Sequence, residues 1–186
     1  SSKAEKILRE VYSPFFFPHQ SGKVHVMGIR DAELSKYAFN TYLAAQVHIT
    51  NVLANISRVA GANWRAIIPA VLGDERIGRF VHPGIGFGGS CFRKDVSALK
   101  RTASDLGLDE LTLQSLNIIL KQNENQKMKL NKGIISLFGE DLSNFTIAIW
   151  GLSFKKDTND IRDASSLIVI PDLLKRGAKI RAHDPQ

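Results

Sequence analysis

The chain has 186 residues, of which 44% are hydrophobic and 23% are charged, a balance typical of a soluble globular protein. No apolar run approaches the ~18 residues of a membrane span, and the polar first ten residues do not resemble a signal peptide. The net charge of +7 suits an anionic partner, but the basic residues are scattered and form no tract typical of nucleic-acid binding.

Helical patterns occupy the first three quarters of the chain. Residues 3–12 predict a short amphipathic helix, and 13–23 (SPFFFPHQSGK) predict a linker because they contain two prolines and a glycine. A long helix is predicted from Asp31, its expected cap, to just before Gly61. Its apolar residues recur around much of its girth, which predicts a homodimer through this helix. The remaining helices are predicted over 63–72, about 94–106 and 110–138.

The pattern changes at Phe145. The run 145–151 (FTIAIWG) predicts a strand, 165–177 a helix that contains Pro171, and 178–185 (AKIRAHDP) a second strand. A strand–helix–strand unit forms a parallel pair, which is not stable alone, so we expect the domain to continue beyond the chain. The predicted fold is a mainly α central helical dimerisation domain followed by the start of an α/β Rossmann-like domain.

Three polar elements in the helical part could carry chemistry. Lys36 and Asn40 lie four residues apart on one helix face, where they could hold a developing oxyanion or form a solvated pair. Cys91 follows the glycine-rich run 84–90 and precedes basic residues and a helix start, which favours a thiolate, although a structural cysteine remains the alternative. Asp95 is either a functional carboxylate or a helix cap.

The fourth element is the turn at 151–162 (GLSFKKDTNDIR), after the first predicted strand. Its glycine beside Lys155 and Lys156 could bind an anion, or the segment could be a surface turn. It lacks the dinucleotide fingerprint of spaced glycines. One cysteine and five scattered histidines predict no disulfide and no metal site, and they fit a reducing cytoplasm.

Together these motifs resemble the nucleotide-sugar 6-dehydrogenases, the UDP-glucose and GDP-mannose dehydrogenase family. GFGGSCFRKD (86–95) resembles the family's catalytic cysteine loop, and AELSKYAFNTYLA (32–44) resembles its central helix. DERIG (74–78) resembles the segment before the loop, while GLSFKKDTNDIRDAS (151–165) and the closing HDP resemble the start of the C-terminal domain. The sequence departs from the family pattern at four positions: Arg93, Asn159, Asp163 and Ala164.

The resemblance implies a three-domain parent enzyme. Residues 1–22 would be the last helix and linker of a missing NAD-binding domain, 23–140 the central dimerisation and catalytic domain, and 141–186 the start of the nucleotide-sugar-binding domain. The main NAD site would then lie outside these residues, and the isolated chain is expected to be inactive.

The reaction that the resemblance implies is the NAD-dependent oxidation of a nucleotide sugar at C6, most closely UDP-glucose to UDP-glucuronate. Cys91 would carry a thiohemiacetal and then a thioester, Lys36 and Asn40 would hold the C6 oxygen, and Asp95 would position or activate water. The glycines are expected to let backbone amides approach the sugar. The implied substrate-binding residues are Phe80, Gly86, Phe87, Gly88, Gly89, Arg76, Phe154 and Lys155, with Arg76 reaching the phosphates of the neighbouring subunit. Those facing the cofactor are Lys94 and Arg162.

Two alternatives stay open. A 6-phosphogluconate or β-hydroxyacid dehydrogenase shares the Lys-x-x-x-Asn pair but needs no cysteine nucleophile. The chain could also be a non-catalytic dimerisation and binding module. A cysteine hydrolase fits poorly, because no histidine has an evident claim to pair with Cys91.

Overall fold

A computed structural model of the protein describes residues 2–15, 24–77 and 82–185. The contacts divide the chain into two compact units, 1–36 and 37–186. Within the described residues, no helix combines the length and the apolar character that crossing a membrane requires.

The first unit contains helix α1 (Ser2–Tyr12), a 3₁₀ turn (Ser13–Phe15) and the first residues of helix α2 (Ile29–Val59). Helix α2 begins two residues earlier than predicted, since the amide of Ala32 already donates to the carbonyl of Gly28 at 3.0 Å. Asp31 therefore lies in the first turn and does not cap the helix. A carboxylate in the first turn still interacts favourably with the positive end of the helix dipole.

The second unit begins with the rest of α2, which ends as predicted before Gly61. Gly61 has φ of +73°, the left-handed conformation that commonly ends helices. Helix α3 (Trp64–Leu72) follows and is capped by the side chain of Asn63, which accepts a hydrogen bond from the amide of Arg65.

Helices α4 (Phe92–Asp105) and α5 (Glu110–Phe138) pack against α2 around one small core. That core contains a residue of the glycine-rich loop, Phe87, beside Val96 of α4 and Ile119 of α5. Phe87 also meets Phe92 edge to face, with ring centroids 5.5 Å apart. The loop that carries Cys91 is therefore fixed at both ends by hydrophobic packing.

The last part of the chain forms the predicted strand–helix–strand unit. Strands β1 (Thr146–Trp150) and β2 (Lys179–His183) pair in parallel, with Thr146 opposite Lys179. Helix α6 (Ser166–Lys175) connects them, and a second core covers one face of the pair. The buried residues of this core are Leu142, Val169, Leu173 and Ala178.

Two adjacent leucines of α6 test this packing. Leu173 is fully buried and Leu174 is 52% exposed. We expect Leu173→Ala to lower the free energy of unfolding by about 2–5 kcal/mol, because it removes buried methyl groups and leaves a cavity. Leu174→Ala should cost about 0.5 kcal/mol or less. Urea unfolding followed by circular dichroism measures both, and equal losses would contradict the assigned helix face.

Candidate functional site

Cys91 lines a cavity of about 470 Å³ whose wall is the glycine-rich loop. Six predicted substrate-binding residues line the same cavity: Gly86, Phe87, Gly88, Gly89, Phe154 and Lys155. Lys155 extends over the ring of Phe154, with Nζ 5.4 Å from its centroid. The structure thus brings together the cysteine loop and the turn after β1, which are about sixty residues apart in sequence.

The glycines of this loop are required by the protein's own packing. A Cβ atom on Gly88 would lie 2.5 Å from the carbonyl oxygen of Asp163, and one on Gly89 would lie 2.8 Å from the ring of Phe154. The amide of Gly89 donates to the carbonyl of Arg162 at 2.7 Å. The close neighbours of Gly88 and Gly89 are therefore protein atoms of the 151–165 segment, and the approach of a sugar to these glycines stays a prediction.

Two buried asparagines clamp the loop by its backbone. Asn123 accepts a hydrogen bond from the amide of Phe87 at 2.8 Å and donates to the carbonyl of the same residue at 3.0 Å. Asn51 accepts from the amide of Gly84 at 2.8 Å, while Gln126 donates to the Gly84 carbonyl at 2.7 Å. These side chains give hydrogen-bond partners to the backbone of the buried Phe87 and of the exposed Gly84.

Asn123 belongs to a polar stripe of α5 that sequence reasoning missed. The stripe consists of Asn123, Lys127 and Asn131, which lie four residues apart and are all at most 5% exposed. Lys127 donates to the carbonyl and to the carboxylate of Asp163, at 3.0 and 2.8 Å. Asn131 donates to the carbonyl of Val169 at 3.1 Å. The four-residue spacing of these side chains can be seen in the sequence. It does not reveal their burial, because polar residues at helical spacing ordinarily form the solvent-exposed face of a helix.

The thiol of Cys91 is exposed at the N-terminal end of α4, where Cys91 is the cap residue. The oxygen of Ser90 lies 3.7 Å from the sulfur. A helix N-terminus favours an anion, which suits a thiolate. Phe92 begins the helix two residues before the predicted start.

Two cations predicted to face the cofactor lie within electrostatic range of this thiol. A hydrogen bond to Asp95 chiefly raises the pKa of Lys94, and Cys91 adds a smaller contribution in the same direction. The pKa of Arg162 is raised mainly by Asp160 and again slightly by Cys91. In return, the guanidinium of Arg162 lowers the pKa of Asp160 to about 2. At neutral pH both cations are therefore charged and paired with a carboxylate.

Asn40 and Asp95, two of the predicted catalytic residues, are in direct contact. The amide nitrogen of Asn40 donates to the Asp95 carboxylate at 2.5 Å. Asp95 lies in the first turn of α4, one turn after Cys91, and has no solvent exposure. The carboxylate thus orients the Asn40 amide.

The other predicted site residues are placed differently. Lys36 lies on α2 in the first unit, so its position toward Cys91 stays a prediction. Arg76 has a largely exposed side chain paired with Asp74 at 2.5 Å, and it does not line the cavity. Phe80 lies outside the described residues. Six cavity residues were not among the predicted site residues: Val47, Asn51, His82, Gly84, Ser90 and Phe92.

The described residues offer no group of three or more His, Cys, Asp or Glu side chains that could hold a metal ion. The turn after β1 does not form a dinucleotide cradle either. It contains a single glycine, Gly151, and its Leu152 and Ser153 amides already donate to the carboxylate of Asp184, at 2.6 and 3.2 Å. The chemistry of this site is thus that of a thiol, amides and paired charges.

Replacing Gly88 tests the contact between the loop and the 151–165 segment. Gly88→Ala should lower the free energy of unfolding by about 1–3 kcal/mol, because the new methyl group displaces backbone. The matched control is Gly133→Ala in α5, where no atom lies within 4 Å of the added Cβ. It should stabilise the helix by about 1 kcal/mol. Urea unfolding compares the two variants, and an unchanged Gly88→Ala protein would contradict the contact.

Comparison with known proteins places the segments that carry these motifs in one family. Residues 30–125 match the central domain of the UDP-glucose/GDP-mannose dehydrogenase family, and residues 148–186 match that family's UDP binding domain. The first match contains Cys91, and the second contains Phe154 and Lys155.

Relatives and solved structures agree with this match. The chain is 40% identical over 185 residues to UDP-glucose 6-dehydrogenase of Pseudomonas aeruginosa, covering 99% of this chain and 40% of that protein. It is 37% identical to UDP-glucose 6-dehydrogenase TuaD of Bacillus subtilis, covering 100% of this chain and 38% of that protein. A UDP-glucose dehydrogenase structure from Pyrobaculum islandicum superposes with a TM-score of 0.85 at 32% identity, covering 100% of this chain and 41% of that one. The chain thus spans about two fifths of the length of these relatives. Because the central-domain match alone covers more than half of its residues, the chain belongs to the UDP-glucose/GDP-mannose dehydrogenase family.

Proposed function

We propose that this chain is part of an NAD-dependent dehydrogenase that oxidises the C6 hydroxyl of UDP-glucose to a carboxylate, giving UDP-glucuronate. Two of the relatives are named UDP-glucose 6-dehydrogenases. The observation that carries the proposal is the cavity in which Cys91 faces Phe154 and Lys155 of the matched UDP binding domain. A nucleotide held by residues 148–186 would bring its sugar to the thiol of Cys91, which belongs to the matched central domain.

The cavity residues suggest how the alcohol becomes an acid. Loss of a hydride from C6 and of a proton from its hydroxyl gives an aldehyde. The Cys91 thiolate adds to that carbonyl carbon, and the oxygen takes up a proton to give a thiohemiacetal. Loss of a second hydride and proton gives a thioester, which water hydrolyses to the uronate and the free thiol. Covalent capture keeps the aldehyde from leaving and divides one difficult oxidation into easier steps.

The predicted polar site residues have separate roles in this proposal. Lys36 and Asn40 hold the C6 oxygen as negative charge develops on it. Asp95 orients the Asn40 amide through their 2.5 Å hydrogen bond and positions the hydrolytic water through its neighbours, since the carboxylate itself is buried. Lys155 meets the sugar or the diphosphate, and Arg76 reaches the nucleotide of a second subunit.

Each of the two hydrides would need its own molecule of NAD, which supplies the hydride acceptor when bound. The turn after β1 does not form a dinucleotide cradle, and the main NAD site is proposed to lie outside the described residues. Lys94 and Arg162, both exposed and near the thiol, are the residues of this chain that fit an anionic part of the cofactor. The experiments below therefore use the protein at its natural length.

Replacing Cys91 tests the covalent step. Cys91→Ser keeps the loop's shape but offers a poorer nucleophile and leaving group, so the variant should stall at the aldehyde or as an acyl-enzyme. Intact-mass spectrometry after incubation with UDP-glucose and NAD distinguishes these states, because an acyl-enzyme is heavier by one uronyl-nucleotide. Cys91→Ala should bind UDP-glucose and form no covalent species.

The alternative functions predict other results. If Cys91→Ala formed UDP-glucuronate at nearly the wild-type rate, the covalent mechanism would be wrong, and the hydroxyacid-dehydrogenase interpretation would be favoured. If the wild-type protein bound UDP-glucose but produced no NADH, a non-catalytic binding module would remain. The absorbance of NADH measures turnover, with two NADH formed for each UDP-glucuronate, and calorimetry measures the binding of UDP-glucose.

We also propose that the protein is a homodimer through α2. Five large apolar side chains on α2 are 42–66% exposed: Phe39, Tyr42, Ile49, Leu53 and Ile56. Together with Gln46 they repeat at alternating intervals of three and four residues, which is the spacing of helices that pack along one seam. An exposed apolar stripe of this length favours cover by a partner chain, and a second copy offers the same stripe.

A charge in the middle of the stripe tests the dimer. Ile49→Glu should give a monomer, because two carboxylates would face each other across the seam. Leu111→Glu, in which an equally apolar and 75% exposed residue of α5 is replaced, is the matched control and should leave a dimer. Light scattering at tens of micromolar measures the mass. A monomeric wild-type protein would contradict the proposal.

A further inference from the structure

We propose that Lys127 is a positioning residue for the cysteine loop, acting through an ion pair between its buried ammonium and the partly buried carboxylate of Asp163. The inference rests on the proposed function for its kinetic consequences, but its geometry is independent of that function. Lys127 has no solvent exposure, and a buried ammonium is costly unless it is paired and hydrogen-bonded. Its position joins α5, the cysteine loop and the turn that precedes α6.

The side chain of Lys127 touches both segments that form the cavity. A Cβ atom on Gly86 would lie 2.9 Å from the γ-carbon of Lys127, so the lysine stem supports the first half of the loop. The ammonium donates to the Asp163 carbonyl at 3.0 Å and to its carboxylate at 2.8 Å. That same carbonyl is the atom that excludes a side chain at Gly88. Lys127 therefore fixes the carbonyl against which Gly88 packs, three residues before Cys91.

The backbone of Asp163 shows that this turn is held in place. Its φ of 53° lies in the left-handed region, which non-glycine residues seldom adopt. Such a conformation persists where the surrounding contacts impose it, and the two bonds from Lys127 are such contacts. Arg93 adds a weaker one, with its guanidinium 3.6 Å from the Asp163 carboxylate. Arg93 and Asp163 are two positions at which the sequence departs from the family pattern, and here they meet.

If the Lys127–Asp163 ion pair holds the cysteine loop, removing the ammonium of Lys127 should speed hydrogen exchange at the part of the loop that contacts the 151–165 segment. In Lys127→Met the stem remains and the ammonium is lost, while Arg93 still faces the Asp163 carboxylate, so the fold should persist. The Gly89 amide, which donates to Arg162 beside Asp163, should exchange with deuterium about 10-fold faster. The Phe87 amide, held by Asn123, should exchange at its original rate. General destabilisation would accelerate both amides.

Kinetics at natural length give the second measurement. Misplacing a nucleophile by about 1 Å can cost about 100-fold in rate, so kcat for NADH formation should fall by that order in Lys127→Met, with a smaller change in KM. Lys127→Arg keeps a cation with several donors and should restore both kcat and Gly89 protection. Lys121→Met, which removes an exposed lysine from the same helix, is the matched control and should change neither.

The outcomes separate this proposal from the proposed function. Faster Gly89 exchange in Lys127→Met, with Phe87 and the Lys121→Met control unchanged, supports the positioning role even if the wild-type protein forms no thioester. Unchanged Gly89 exchange and kcat in folded Lys127→Met would overturn it, as would equal effects in Lys121→Met. If Lys127→Met does not fold, Asp163→Asn replaces it, because asparagine tolerates the left-handed backbone and lacks the charge. The same Gly89 and kcat criteria then apply.

Discussion

The polar stripe of α5 is the feature on which the site depends. Asn123, Lys127 and Asn131 each bind a backbone carbonyl in a different segment: the cysteine loop, the turn before α6, and α6 itself. Inside a protein such bonds are strong when all partners are present, and an unpaired group is costly. One helix therefore fixes the relative position of the thiol and of the region that matches the UDP binding domain.

Close backbone contact between those two segments follows from this arrangement. The loop at 86–89 lies so near Asp163 and Phe154 that a side chain at Gly88 would overlap protein atoms. Glycine lowers the free energy of unfolding because it loses more conformational entropy on folding than any other residue. Its repeated use in this loop therefore indicates that larger side chains would not fit. In this arrangement Cys91 is exposed at the start of α4 and lines the same cavity as Phe154.

Sequence patterns predicted much of this structure, and the differences have physical causes. Apolar periodicity predicted the long helices and the parallel strand pair, and the motif around Cys91 predicted a site at a loop that lines a cavity in the structure. The long helix starts before Asp31 because a backbone bond from Ala32 already forms there. The buried role of Lys127 could not be predicted, since its partner Asp163 lies 36 residues away and only the tertiary fold brings the two together.

In the proposed function, a sugar whose nucleotide is held by residues 148–186 covers the thiol of Cys91. The most direct measurement is the rate at which iodoacetamide alkylates Cys91 in the natural-length protein, with and without UDP-glucose. Cys91 is a free and exposed cysteine, so iodoacetamide should alkylate it. The account predicts that UDP-glucose slows alkylation in a saturable way. UDP alone should protect much less, because it lacks the sugar that would cover the thiol. An alkylation rate unchanged at a UDP-glucose concentration shown by calorimetry to saturate binding would contradict the account.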